Sequence, residues 1–116
     1  MRHTLLVVES ESTLRFAIRR YFEAQGVAVD VFESNQDAST IAAVRRYDAL
    51  LVDYRPAQAD DAQAVIIACR EKNPDIVVIA LTSSRLDRVE IDATHVRLKP
   101  IRLPELAELL GVGGMA

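Results

Sequence analysis

Apolar residues occur in short runs along the chain, and these runs predict five β-strands. The clearest run spans residues 49–52 and ends at Asp53. A continuous apolar run of this length is typical of a strand that is covered on both faces, as in a parallel sheet. Comparable runs predict the other four strands at residues 5–8, 27–32, 76–81 and 96–98.

The segments between these runs follow helical periodicity. Leu14, Ile18, Tyr21 and Phe22 define a first helix with one buried face, and Ser12 is a candidate N-cap. A second helix is predicted from Ser34 to about Tyr47, with Ile41 and Val44 among its apolar positions. A third is predicted from Asp60 or Asp61 to Asn73, because a residue that precedes proline avoids the helical region. Residues 86–91 have only a weak helical pattern, and a last helix spans 103–110, with Gly111 after its end.

Strands that alternate with helices predict an α/β fold with a mostly parallel sheet. The right-handed crossover rule places helices on both faces, so we expect a doubly wound five-stranded parallel sheet. The fourth of the five helices should be short or irregular, since its pattern is weak.

Length and composition indicate one domain and exclude several classes of function. The 116 residues fit a single domain over 1–110, followed by a glycine-rich segment, 111–116, that is either a tail or the start of a linker. The net charge of −3 is spread along the chain, which gives no basic surface for nucleic acid or for a membrane. The apolar run before Glu9 is too short for a signal peptide, so a cytoplasmic location is expected. The single cysteine, Cys69, excludes an internal disulfide, and its helical spacing predicts burial.

Polar groups follow four of the predicted strands, and the ends of parallel strands meet at one rim of the sheet. These groups are Glu9-Ser10-Glu11, Asp53, Thr82-Ser83-Ser84 and Lys99-Pro100. A carboxylate on such a rim can act as a nucleophile toward phosphorus, while a hydroxyl and an ammonium can bind phosphoryl oxygens. Acids on a neighbouring strand can hold a divalent cation. The pattern therefore favours a phosphoryl-transfer site around Asp53.

These four motifs resemble the receiver domain of bacterial two-component response regulators over residues 4–110. The resemblance implies a flavodoxin-like sheet of strand order 2-1-3-4-5 and a phosphoacceptor rather than an enzyme. It implies Asp53 as the phosphoacceptor, assisted by Thr82 and Lys99. It also implies Mg²⁺ as cofactor, held by Glu9, Asp53 and the backbone carbonyl of Arg55, with Ser10 as a poor fourth ligand.

The chain departs from the family pattern at the metal site and at the elements that signal phosphorylation. Ser10 replaces the second acid of the family's acidic pair, so Mg²⁺ is expected to bind weakly. Val96 stands where the family has an aromatic switch residue, and Pro56 comes one place early. Arg55 is either a solvated loop residue or a guanidinium that pairs with Glu9 or Asp53 and stands in for the cation. Glu11 is expected to face solvent.

Three functions remain open on the sequence. The first is a receiver that accepts a phosphoryl group from a histidine kinase or phosphotransfer protein. It would then bind a downstream partner through the surface of the fourth helix, fifth strand and fifth helix. The second is a pseudo-receiver that acts as an interaction or homodimerisation module without phosphorylation. The third, a flavodoxin-like enzyme or nucleotide binder, is disfavoured because the chain has no glycine-rich phosphate loop.

Overall fold

A five-stranded parallel sheet forms the centre of the molecule. The computed structural model describes residues 3–85 and 88–111. The strands are β1 Thr4–Val8, β2 Ala28–Phe32, β3 Ala49–Asp53, β4 Val77–Thr82 and β5 His95–Leu98. They lie in the order β2-β1-β3-β4-β5, and every neighbouring pair is parallel. The predicted doubly wound fold and its strand order are confirmed.

Helices cover both faces of the sheet, as expected from alternating side chains along buried strands. The helices are α1 Ser12–Glu23, α2 Asn35–Ala42, α3 Ala59–Lys72 and α4 Leu103–Leu110, and a 3-10 turn spans Pro56–Gln58. One core cluster joins α1 and α4 to the sheet face that carries Leu5, Val7 and Leu51. The other joins α2 and α3 to the face of Leu6 and Leu50. Cys69 is buried in this second cluster, as predicted.

Several predicted helix ends differ from those observed. Ser34 caps α2 by accepting the Asp37 N–H at 3.3 Å, as its position suggested. Ser12, in contrast, is the first residue of α1, whose N-cap is Glu11. Asp60 and Asp61 lie inside the first turn of α3, where their negative charges interact favourably with the positive end of the helix dipole. The N-cap of α3 is Gln58.

Helix α2 ends at Ala42, several residues earlier than predicted. Val44 lies after the end of α2, and 74% of its surface is exposed. The helical pattern in the sequence therefore continues past the residues that pack on the sheet.

The connection between β4 and β5 contains no helix over residues 88–94, and residues 86 and 87 lie outside the described part of the chain. Val89, Ile91 and Ala93 instead pack directly against the core cluster of α2 and α3. Arg70 of α3 pairs with Asp92 at 2.6 Å, which ties this segment to the neighbouring helix. In its described part, the weak helical pattern over 86–91 thus corresponds to an irregular covering segment, which packs on the core.

No helix among the residues described, 3–85 and 88–111, has the length and apolar character needed to cross a membrane. The terminal segment 112–116, predicted to be a tail or linker, lies outside the described residues.

Candidate functional site

The register of the sheet brings the polar strand ends together. Val52 pairs with Val8, and Asp53 pairs with Leu81, so the ends of β1, β3 and β4 are neighbours on one rim. Asp53 is the last residue of β3, and only 8% of its side chain is exposed. A carboxylate at this depth needs partners that offset the loss of water.

Lys99 is the first of these partners. Its Nζ lies 3.1 Å from Oδ1 of Asp53 and 2.9 Å from Oε1 of Glu9. Lys99 follows β5, and its backbone N–H donates to the carbonyl of Thr82 at 2.7 Å, which fixes the start of the cis Lys99–Pro100 peptide. The ammonium therefore bridges two carboxylates, one directly after β1 and one at the end of β3.

The surroundings of Lys99 shift its pKa in opposite directions. Burial disfavours the charged ammonium, but hydrogen bonds to Glu9 and Asp53 and the charges of both outweigh it, so the pKa of Lys99 is raised. Lys99 is therefore a fixed positive charge at neutral pH.

Glu9 points into the protein rather than toward solvent. Its side chain is 2% exposed, and Lys99 contacts both carboxylate oxygens, Oε1 at 2.9 Å and Oε2 at 3.1 Å. Oε2 also accepts the backbone N–H of Glu11 at 3.0 Å. Glu11 itself is exposed, as predicted. Glu9 is thus fully engaged as a partner of Lys99.

Arg55 lies over the second oxygen of Asp53. Its Nη2 is 3.4 Å from Oδ2 of Asp53 and donates a short hydrogen bond to the hydroxyl of Ser10. Ser10 in turn donates to the same Oδ2 at 3.1 Å. Of the two partners considered for Arg55, the structure brings it to Asp53.

The conformation of Arg55 follows from Pro56. A residue before proline is held in the extended region, and Arg55 has φ −131° and ψ 130°. In extended chain, residues i and i+2 share a face, so the side chain of Arg55 lies on the same side as Asp53. The extended backbone that precedes Pro56 is therefore compatible with the contact between the Arg55 guanidinium and Asp53.

Thr82 ends β4 next to Asp53 in the sheet and is 5% exposed. It also lines a surface groove of about 340 Å³ together with Val96, Arg97 and Val89. Val96, on β5, is 40% exposed. The groove thus connects the end of β4 to the outer face of β5.

Two residues near the site were not predicted. The Tyr54 side chain is buried, and its hydroxyl donates to the carbonyl of Arg88 at 2.8 Å and accepts the N–H of Glu90 at 3.1 Å. Arg15 of α1 donates to the carbonyls of Glu9 at 2.8 Å and Ser10 at 3.3 Å. The signal for Tyr54 was its alternation with Leu50 and Val52, which continues the buried face of β3 past Asp53.

The donors at this rim do not fit a divalent cation in the arrangement observed. Mg²⁺ requires about six oxygen ligands at about 2.0–2.1 Å, usually carboxylates and water. Here Glu9 and Asp53 are both paired with cations, and Ser10 lies between Asp53 and Arg55. The carbonyl of Arg55 accepts the N–H of Gln58 at 2.9 Å. Within residues 3–85 and 88–111, no group of three or more His, Cys, Asp or Glu side chains could hold a metal ion.

Comparison with known proteins identifies the fold. The receiver domain of a sensor histidine kinase from Pseudomonas aeruginosa PAO1 is 24% identical, with a TM-score of 0.78 over 95% of each chain. That protein carries a magnesium ion in its active site cleft. The chain has a receiver-domain fold.

Other receiver structures agree with this assignment. A response regulator from Thermotoga maritima is 23% identical, with a TM-score of 0.73 over 96% of this chain and 99% of that one. An orphan response regulator of H. pylori is also 23% identical, with a TM-score of 0.75 over 95% and 99% of the two chains. No protein-family model and no curated protein matches the sequence.

Proposed function

We propose that this chain is a signalling receiver that accepts a phosphoryl group on Asp53. The observation that supports this most directly is the placement of Lys99 Nζ at 3.1 Å from Asp53, on the rim where parallel α/β sheets bind ligands. An ammonium at that distance neutralises charge that a bound phosphoryl group would add. The chain acts as an acceptor in this proposal and not as an enzyme.

The proposed chemistry is a single displacement. A carboxylate oxygen of Asp53 attacks phosphorus, the bond from phosphorus to the donor's nitrogen or oxygen breaks, and the donor leaves with that electron pair. Lys99 and the hydroxyl of Thr82 bind the transferred oxygens. No step is assigned to Mg²⁺, which we propose as a weak ligand at most, because its expected oxygen donors are already paired.

The proposed donor is a histidine kinase or a phosphotransfer protein in the cytoplasm. Residues 88–94 contain no helix, so the proposed output surface consists mainly of β5 and α4, and α4 is the helix that the sequence predicted as the fifth. Arg97 and Glu105 on this surface pair at 3.5 Å, and Arg102 lies beside them. A downstream protein, or a second copy of the chain, is the proposed partner; nucleic acid and membrane are not.

Incubation with acetyl phosphate and magnesium tests this function directly. We expect the intact mass to rise by one phosphoryl group, with the label located on Asp53 by peptide mapping. Asp53→Asn is the matched control because it keeps the side-chain size and removes the nucleophile. Beryllofluoride should shift the amide resonances of the Asp53 rim in wild type alone. Identical behaviour of wild type and Asp53→Asn in both assays would contradict the proposal.

A pseudo-receiver is the second candidate, and one observation favours it. Both oxygens of Asp53 are occupied within the protein, Oδ1 by Lys99 and Oδ2 by Arg55 and Ser10. A nucleophile with both oxygens engaged reacts more slowly, and Val96 provides no aromatic ring to report a change. Absence of labelling, together with partner binding that is unaffected by Asp53→Asn, would select this candidate.

A further inference from the structure

Two carboxylates at the rim are paired with two cationic side chains. Glu9 and Asp53 provide two negative charges, and Lys99 and Arg55 provide two positive ones. Ser10 contributes only a neutral hydroxyl, which links Arg55 to Asp53. A divalent cation added to this set would create an excess of positive charge at short range, where Coulomb repulsion is strong.

The two cations differ in how firmly they are held. The Lys99 side chain is 17% exposed and contacts both carboxylates, whereas the Arg55 side chain is 49% exposed and contacts only Asp53 of the two. Arg55 also enters from the loop after β3 and contacts Oδ2 of Asp53, whereas Lys99 contacts Oδ1. It is therefore the cation that an incoming ion would have to displace.

We propose that Arg55 is a built-in counter-cation of Asp53 that excludes divalent metal ions from the rim. Its guanidinium takes the place beside Oδ2 of Asp53 and engages the Ser10 hydroxyl. Pro56 favours the extended backbone in which Arg55 makes these contacts. The inference rests on the proposed function, since it concerns the same carboxylate, and it makes this receiver's resting state independent of Mg²⁺.

A magnesium titration of the full chain, followed by amide chemical shifts at Ser10, Asp53 and Arg55, tests the proposal. Wild type should show weak, non-saturating shifts, and Arg55→Ala should bind Mg²⁺ about tenfold more tightly. Arg55→Lys keeps the charge and should remain weak. Replacing Mg²⁺ with Mn²⁺ provides a second readout, since relaxation broadening should centre on Asp53 only in Arg55→Ala.

Arg19→Ala is the matched control, because it removes the same charge from a side chain of similar exposure, 50% against 49%. Its partner is Glu23 on α1, so its magnesium affinity should equal that of wild type. Equal affinities for wild type and Arg55→Ala would overturn the proposal, as would saturable broadening at Asp53 in wild type. Neither result depends on phosphorylation, so a failure to label Asp53 would affect the proposed function and leave this inference standing.

Discussion

Both ends of the sheet carry charged clusters, yet the two clusters are built differently. At the amino ends of the strands, the Asp48 carboxylate accepts three hydrogen bonds. Thr4 donates its backbone N–H at 2.8 Å and its hydroxyl at 3.0 Å, and the Arg46 guanidinium donates at 2.9 Å. At the carboxyl ends, Asp53 is surrounded by side chains from three different parts of the chain: Ser10, Arg55 and Lys99.

The two clusters differ in the groups that bind their carboxylates. Asp48 is 27% exposed and is satisfied mostly by backbone and hydroxyl groups, which join the starts of β1 and β3. Asp53 and Glu9 are nearly buried, and each is paired with a charged side chain in addition to one neutral donor. Burial of paired charges contributes little net stability compared with apolar packing, so such a cluster is a marker of function more than of folding.

The largest expected effect is on stability when a buried charge loses its partner. Lys99→Met leaves Glu9 and Asp53 without their shared cation, and we expect the free energy of unfolding to fall by about 3 kcal/mol. Arg46→Met makes the same substitution at the amino end, where Asp48 is more exposed, and should cost less than about 1 kcal/mol. Urea denaturation measures both. A loss for Lys99→Met no greater than that for Arg46→Met would show that the two clusters are equivalent.

A smaller effect is expected at the two buried tyrosines. Tyr54→Phe removes the hydroxyl that holds Arg88 and Glu90, and should cost about 1–2 kcal/mol. Tyr47→Phe removes a hydroxyl that donates to Asp30 of β2 at 2.5 Å. Only Tyr54→Phe should speed amide hydrogen exchange in residues 88–94. Faster exchange there in Tyr47→Phe, or in neither variant, would contradict the role given to Tyr54.

The smallest effect is the dependence of stability on pH, which should differ between the two ends. The raised pKa of Lys99 contributes stability below about pH 10, and this is lost as the pH rises through the folded-state pKa. Burial opposes ionisation of Asp48, but hydrogen bonds from Thr4 and Arg46 outweigh it and lower its pKa. Its contribution is therefore present above about pH 4 and is lost as the pH falls below that value.

Denaturation midpoints across the pH range separate the two contributions. Lys99→Met should flatten the alkaline decline in stability, and Asp48→Asn should flatten the acidic decline while leaving the alkaline decline unchanged. Loss of the alkaline decline in Asp48→Asn would show that the charges of the two ends are coupled.

The sequence predicted the sheet well because buried parallel strands need long apolar runs, which few other structures require. Helix ends were predicted less well. The start of α2 was predicted at Ser34, which is its N-cap, but the predicted N-cap of α1, Ser12, was wrong. Capping depends on where the chain turns away from the sheet, and several residues there can accept a hydrogen bond. The length of α2 depended on how far the sheet extends beneath it, which the sequence pattern does not contain.

The sequence predicted which residues lie at the rim, but only part of the contacts between their side chains. Strand ends placed Glu9, Asp53, Thr82 and Lys99 on one rim, and the rim contains all four. The direction of Arg55 was left open, because it depends on the backbone angles that Pro56 imposes. Tyr54 was missed because it lies past the predicted end of β3, and its hydrogen-bond partners are backbone groups of a segment with no regular pattern.

The position of Tyr54 gives this protein an intrinsic optical label. The chain contains no tryptophan and three tyrosines, so its tyrosine emission is not masked by tryptophan. One of them directly follows Asp53 and has a hydroxyl anchored to the covering segment. A change at the Asp53 carboxylate that moves the Tyr54 ring alters the tyrosine emission without an added fluorophore. Tyr54→Phe, which lacks this tyrosine, is the control.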